Sequence, residues 1–313
     1  MQPISFSHVD VFAARPYTGN SLAVFIDPPP LTAAQLAAIT TELRHFETIF
    51  VSSGRAAGDA PGIPPDTAPG GAAPGSVTAR VFDLEGELAF AGHPVLGAAA
   101  VLHGQANPGP QAVLTTSVAL PARTVTVETA GSLDTGVLAA LDQGRPEILP
   151  APPRSQWPAI AASVGLTAAD LDKELPPEVI STGLRYLIIP VGSAGALERA
   201  RIQGDAFAGF LAGLGAEFAY LLHAGGTEGR HWNNDGIVED VATGSAAGCV
   251  AAYLMRHGRA RDGAALTLRQ GRFTGRPSEI RITAFGDARS VERVLVAGQV
   301  CLVATGQLQA RPG

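Results

Sequence analysis

LAFAGHPVLGAAAVLHG, residues 88–104, places a histidine between a glycine and a proline, just ahead of a run of small apolar residues. Pro94 suits the first helical position, where its missing N–H costs nothing. The stretch therefore reads as a strand ending near Phe90, a tight turn at Gly92 and a helix entered at His93. That helix is apolar on every side, and such a helix is stable only when it is enclosed. A sheet wrapped about it is the expected enclosure, which leaves His93 at the polar mouth.

VEDVATGSAAGCVAAYLMRHG, residues 238–258, repeats the plan: a second Gly-containing loop, a second helix apolar all round, and a His257-Gly258 stop. Strand-like stretches surround the first helix: ISFSHVDVF, SLAVFI, FETIFV and SVTARVFDLEGELAF, the last a hairpin-like pair turning at Glu85-Gly86. Further strands are expected near 112–119, 123–129 and 135–141. Thr32 and Gln35 have capping-box spacing and open a helix to about Arg44, with Leu36, Ile39 and Leu43 on one face. Glu47 falls where that helix hands over to a strand.

Around the second helix come a helix near 156–164, a strand at RYLIIPV, a helix from Asp205 to Leu214, a strand at FAYLLHA, and then ALTLRQG, SEIRITA and VERVLVAGQVCLVAT. GRPEILPAPPRSQWP, with five prolines, reads as the crossing between halves. Residues 54–75, half of them Gly or Pro, read as a surface loop. The expected fold class is α+β: two similar domains, each a β-barrel-like sheet wrapped around a central apolar helix.

Length and composition agree with two ordinary domains: 313 residues, 46% apolar and 16% charged. The formal charge of −6 gives no reason to expect a nucleic acid or an anionic membrane as partner. The longest apolar stretch, near 246–255, is about half of a membrane helix. The opening MQPISFSHVD has neither the basic n-region nor the apolar h-region of a secretory signal. The expected localisation is cytoplasmic, and Cys249 and Cys301 read as buried thiols of a reducing compartment.

Cofactor signatures are missing. Lys173, the one lysine, sits in the polar stretch LDKELPPE, which argues against a desolvated Schiff-base amine. No G-x-G-x-x-G follows a strand and no G-x-x-x-x-G-K-[ST] occurs, so a nucleotide cofactor has no support. His231 and Asp235 in HWNNDGIVED are metal-ligand types without a second His or Cys at ligand spacing, and the segment reads as a loop. Neither cofactor nor metal is expected.

Three polar groups gather at helix mouths: Glu47, the Gly92-His93 pair, and Asp240 with Thr243-Gly244-Ser245. Free N–H groups and the positive dipole end there favour an anion, and the same donors would stabilise an enolate-like intermediate. Each residue also has a plainer role. Glu47 suits a solvated junction, His93 a satisfied helix start, and Asp240, Thr243 and Ser245 ordinary capping. Ser245, His93 and Asp240 are the residue types of a hydrolytic triad, though no G-x-S-x-G elbow precedes the serine.

VDVFAARPYTGNSLAVF, RHFETIFV, FAGHPVLGAA, STGLRYLIIPV, EDVATGSAAG and LRQGRFTGRPSEI occur in that order. Together, from about residue 5 to 307, they resemble the PhzF family, the phenazine-biosynthesis-protein-like isomerases. The resemblance implies the two-domain fold shared with diaminopimelate epimerase and proline racemase. Domains are expected at 1–143 with 297–313 and at 144–296, the last strand returning to the first domain and the active site lying in the cleft between them. A homodimer is implied as well.

Carried over residue by residue, the resemblance implies Glu47 as the proton-shuttling acid/base, with His93 and Asp240 beside it in the catalytic set. Gly92, Gly244, Ser245, Thr243 and Asn20 are implied as substrate-binding. The family's characterised reaction isomerises trans-2,3-dihydro-3-hydroxyanthranilate without a cofactor. Epimerases of this fold use two thiols, one at each helix mouth. The matching positions here are Ala91 and Thr243, which excludes that chemistry. A single glutamate can instead take a proton and return it to another carbon, provided burial keeps both of its protonation states accessible. The chain departs from the family's commoner N-x-S-E-T, having R-H-F-E-T, and in carrying the 54–75 insertion. The expected function is a cofactor-independent isomerase of a small anionic substrate, a carboxylate. A Ser/His-dependent hydrolase or lyase, and a non-catalytic small-acid-binding protein on the same fold, stand as alternatives.

Overall fold

The computed structural model describes residues 3–53, 76–107, 109, 111–204 and 206–312. The 54–75 stretch, expected as a surface loop, and Asp205, expected to open a helix, lie outside the described residues. The chain runs through β1 (Ile4–Val11), β2 (Asn20–Ile26), α1 (Ala33–Leu43), β3 (Glu47–Ser52), β4 (Ser76–Phe82), β5 (Glu87–Leu88), α2 (His93–Ala106), β6 (Val113–Ala119), β7 (Thr124–Ser132) and β8 (Gly136–Gly144). It continues through β9 (Glu147–Ile148), α3 (Trp157–Ser163), β10 (Glu178–Ser181), β11 (Arg185–Pro190), α4 (Ala194–Arg199), α5 (Phe207–Gly213), β12 (Phe218–His223) and β13 (Glu228–Arg230). The elements α6 (Gly244–Arg256), β14 (Ala265–Gln270), β15 (Ser278–Gly286) and β16 (Val291–Leu308) complete it.

Two compact units divide the chain: Met1–Leu141 with Ala297–Gly313, and Asp142–Val296. In the first unit the strand order is β1-β2-β3-β4-β6-β7-β8-β16, and β16 also pairs with β1, which closes the sheet on itself. The closing seam is antiparallel, from Ile4 opposite Leu308 to Val11 opposite Val300, with a register shift at His8/Val9. Closure removes the edges that an open sheet would expose. Inside, α2 packs on β1, β2, β3, β6 and β7, and ten of its fourteen residues are buried.

The alternation of β2 shows how one short strand serves two layers. Leu22 reaches α2, where an added Cβ on Gly97 would lie 2.4 Å from its Cδ2. Phe25 and Ala23, of opposite parity, join Ile4, Phe50 and Phe82 in a cluster with Leu36 and Ile39 of α1. The capping box expected at Thr32 is formed: Gln35 N–H donates to Thr32 Oγ1 (3.3 Å) and Thr32 N–H to Gln35 Oε1 (3.0 Å).

Two local expectations shift. The hairpin strand expected to reach Phe90 stops at Leu88, because the Ala89 carbonyl turns to accept from Ala122 N–H (3.1 Å). Pro94 occupies the second helical position, not the first, since His93 already belongs to α2.

The second unit orders its strands β9-β10-β11-β12-β13-β14-β15-β16. Helix α6 packs on β10 and β11 near one end of that order and on β15 near the other, so the sheet curls around it. Eleven of its thirteen residues are buried. On the sheet's other face, Ile160, Leu197, Phe207 and Leu211 from α3, α4 and α5 cover Val179, Leu187, Ile189 and Leu221. Each such aliphatic or aromatic side chain contributes about 1.5–3 kcal/mol by leaving water. Among the described residues no helix is long and apolar enough to cross a membrane.

Candidate active site

Parallel pairing of β2 with β3 sets Leu22 beside Glu47. Paired residues of neighbouring strands share a face, and the face of Leu22 is the one that α2 packs against. Glu47, first residue of its strand, is thereby aimed at the mouth of α2, and its Oε2 lies 3.3 Å from His93 Nδ1. The two side chains are 12% and 6% exposed, reachable but almost dry.

Burial pushes the His93 imidazole down to about 3, so the ring is neutral near pH 7. The contact is thus a carboxyl group against a neutral imidazole and not an ion pair. At 3.3 Å it is slightly longer than a formed hydrogen bond. The far nitrogen, Nε2, is buried and has no partner among the described residues.

The backbone around this pair is suited to an anion. Gly92 is the N-cap of α2 and offers no side chain to its free N–H groups, while Pro94 removes one of those donors. Asn20 opens β2, is buried, and shares the α2-facing parity of Leu22. Of the residues expected at the site, Glu47, Gly92 and His93 meet at the start of α2, and Asn20 lies in the same unit at the start of β2.

Asp240, Thr243, Gly244 and Ser245 belong to the second unit, at the start of α6. The N-cap of α6 is Thr243 and Asp240 lies three residues before it. Its Oδ2 accepts from Thr243 Oγ1 (2.7 Å) and its Oδ1 from Ala242 N–H (3.3 Å), so it stiffens the turn before the helix. Thr243 is the N-cap but makes no side-chain cap bond. The Gly244 carbonyl accepts from Gln143 Nε2 (3.0 Å), whose Oε1 accepts from Thr182 (2.8 Å). Ser245 Oγ bonds the Tyr186 phenol (2.8 Å), where a serine nucleophile would need an imidazole. His231 donates from Nδ1 to the Ala219 carbonyl (2.9 Å) and meets the Tyr186 ring edge-on, while Asp235 Oδ1 accepts from Ile237 N–H. These two act as loop anchors.

Burial disfavours the thiolate at both cysteines. Cys249 is buried in α6 with its thiol pushed up to about 12, and Cys301, in β16, is raised by burial and by Asp10. Three residues at the α6 mouth were given no role from the sequence: Tyr186, Tyr220 and Gln270. Tyr186 and Gln270 lie in the quoted stretches STGLRYLIIPV and LRQGRFTGRPSEI, which were the available signal.

A sheet wrapped twice around a buried helix is the architecture of proline-racemase-like epimerases. A probable proline racemase from Agrobacterium radiobacter shares this fold with a TM-score of 0.58 at 13% identity, covering 99% of this chain and 94% of that one. A predicted epimerase from Pseudomonas aeruginosa matches with a TM-score of 0.85 and 42% identity, over 98% of this chain and 99% of the other. The family model for phenazine biosynthesis-like proteins, PhzC-PhzF, matches residues 9–306. Among curated relatives, trans-2,3-dihydro-3-hydroxyanthranilate isomerase from Pseudomonas chlororaphis is 32% identical over 298 residues, 93% of this chain and 94% of that protein. The chain belongs to the phenazine biosynthesis-like, or PhzF, family. It is an isomerase.

Proposed function

We propose that the isomerase shifts a proton between two carbons of a small carboxylate, without a cofactor, and that Glu47 carries the proton. The observation that supports this most is the Glu47–His93 contact at the mouth of α2, a carboxyl group 3.3 Å from a neutral imidazole. A neutral imidazole has one donor and one acceptor nitrogen. With Glu47 ionised, Nδ1 serves best as a donor to it. In that tautomer Nε2 is an acceptor for a substrate N–H or O–H. When Glu47 takes the proton from a substrate carbon, Nδ1–H stays directed at the carboxyl group, which holds the acid in place to return the proton, and the extra negative charge rests on the substrate. The free N–H groups of α2 stabilise the same charge. His93 thus holds the substrate while Glu47 moves the proton.

The curated relatives are named as isomerases of trans-2,3-dihydro-3-hydroxyanthranilate, a ring carboxylate. That compound is the probe of choice. In deuterated water the wild-type protein should isomerise it with uptake of solvent deuterium at carbon. Glu47→Gln should reduce that uptake by about 10²–10⁴-fold, the usual share of a general acid/base, with ligand affinity within a few-fold. Undiminished uptake in the variant would remove Glu47 from the proton path.

A further inference from the structure

The β2–β3 ladder begins at Glu47: its first pair sets Leu22 opposite Glu47, and it then runs on to Ile26 opposite Val51. On the other side of Glu47, residues 44–46 link the strand to α1, and Arg44 caps that helix in the left-handed region with φ +55°. A strand end with ladder on one side only is where local opening concentrates. The carboxyl group that meets His93 at 3.3 Å hangs from that end.

Side chains take over where the ladder stops. Ser21 precedes Leu22 in β2 and so faces away from α2. Its Oγ lies 2.7 Å from Nδ1 of His45 and 2.9 Å from Nε2 of His8. A hydroxyl carries one hydrogen, so it donates to one ring and accepts from the N–H of the other. The two imidazoles also rest against each other, with centroids 4.5 Å apart. His8 is a fixed post, paired with Ala304 of β16 on one side and Ala23 of β2 on the other. Buried Asp10 stands 3.9 Å from His8 Nε2 and accepts from Tyr17 N–H (2.6 Å). Among the described residues no group of three or more His, Cys, Asp or Glu could hold a metal ion, and the cluster works as a hydrogen-bonded tie.

We propose that His45 is a positioning residue for Glu47. Its bond to Ser21, backed by His8, fastens the link two residues before Glu47 to the outer face of β2, while Glu47 enters the face that α2 packs against. Held on both sides of the strand, the backbone at 45–47 keeps the carboxyl group at its distance from His93. The inference rests on the reading of Glu47 as the proton carrier. His45 itself touches no reacting atom.

Amide hydrogen exchange on the full-length chain tests the tie without any substrate. In His45→Phe, which keeps a ring beside His8 but loses the nitrogen, the amides of Glu47 and Thr48 should exchange about tenfold faster than in the wild type. Those of Phe50 and Val51 and of the first turn of α2 should keep their rates. Equal acceleration throughout the unit, or none at 47 and 48, would overturn the proposal. Should His45→Phe fail to fold, Ser21→Ala removes the same bond from its other end and should give the same local acceleration; unchanged rates there count against the tie. Kinetics with trans-2,3-dihydro-3-hydroxyanthranilate then separate positioning from general loss of structure. In His45→Phe kcat should fall about tenfold with KM within about threefold, since a misplaced proton carrier costs rate and not binding. His45→Asn, whose amide stands where Nδ1 does, should restore kcat to within about threefold of wild type. Adding Ser21→Ala to His45→Phe should cost little more than either alone. Fully additive losses, no rescue by asparagine, or a rise in KM at unchanged kcat would each overturn the role. If the wild-type protein does not turn this compound over, the isomerase reading has failed on its substrate, and the exchange rates at 47 and 48 still decide the tie.

Discussion

Oε2 of Glu47 stands 3.3 Å from Nδ1 of His93, the first residue of a strand facing the first residue of a helix. Neither end of this pair can move far. Glu47 is held by the β2–β3 ladder, and His93 by a helix with a sheet closed around it.

The length of the Glu47 side chain should therefore matter as much as its charge. Glu47→Asp withdraws the carboxyl by one methylene from an imidazole that cannot follow. A misplacement of about 1 Å can lower the rate by about 10²-fold, and kcat of the variant should fall by that order with thermal stability nearly unchanged. A rate within threefold of wild type would show that the carboxyl position is not the constraint.

The buried imidazole leaves a signature in stability against pH. The folded-state pKa of His93 is depressed to about 3, against about 6.5 in an unfolded chain. Between those values the unfolded state binds more protons, so stability falls as pH is lowered through the window and is restored above about 6.5. At pH 5 the loss from this group is about 2 kcal/mol relative to pH 7.5. His231, lowered chiefly by burial, adds a slope of the same sign. Urea unfolding at the two pH values should show His93→Asn losing about 2 kcal/mol less than wild type. Equal losses would mean that His93 is not buried in its neutral form.

Two glycine-to-alanine substitutions should act in opposite directions. At Gly97 the new methyl meets Leu22 Cδ2 at 2.4 Å and the Cγ2 atoms of Val9 and Val11 at 3.2 Å, and overpacking of this kind destabilises by about 1–3 kcal/mol. At Gly209, within α5, nothing lies within 4 Å, and the gain in helix propensity is about 0.5–1 kcal/mol. Urea midpoints measure both. A neutral Gly97→Ala would show that α2 can back away from β2.

Much of this was legible in the residues. An all-apolar helix starting at His93 and a second at Gly244 imply enclosure, because neither has a face that water would tolerate. The alternation in ISFSHVDVF and SLAVFI, and the capping box at Thr32, mark elements whose determinants lie within a few residues of one another. The family motifs added Glu47, which from its neighbours in sequence looks like a solvated junction residue. For Asp240 the residues offered a catalytic role and plain capping side by side; the N-cap of α6 is Thr243, and the Asp240 carboxylate accepts from Thr243 Oγ1 and Ala242 N–H. Gln270 lay within the quoted stretch LRQGRFTGRPSEI, yet nothing in that stretch pointed to its role. Its oxygen accepts from Thr243 N–H and the Tyr220 hydroxyl, 27 and 50 residues away in the chain, and an amide carries no charge or spacing rule to betray it.

The sequence by itself determined the two enclosed helices, most of the strands, and the lack of any thiol at the helix mouths. Those follow from local periodicity and residue type. Only the tertiary structure decided that Glu47 faces His93 across 3.3 Å, that burial keeps that histidine neutral, and that Gln270 hydrogen-bonds the turn ahead of α6. Each of these depends on long-range pairing, which sets distance and desolvation together, and neither quantity is carried by any one stretch of residues.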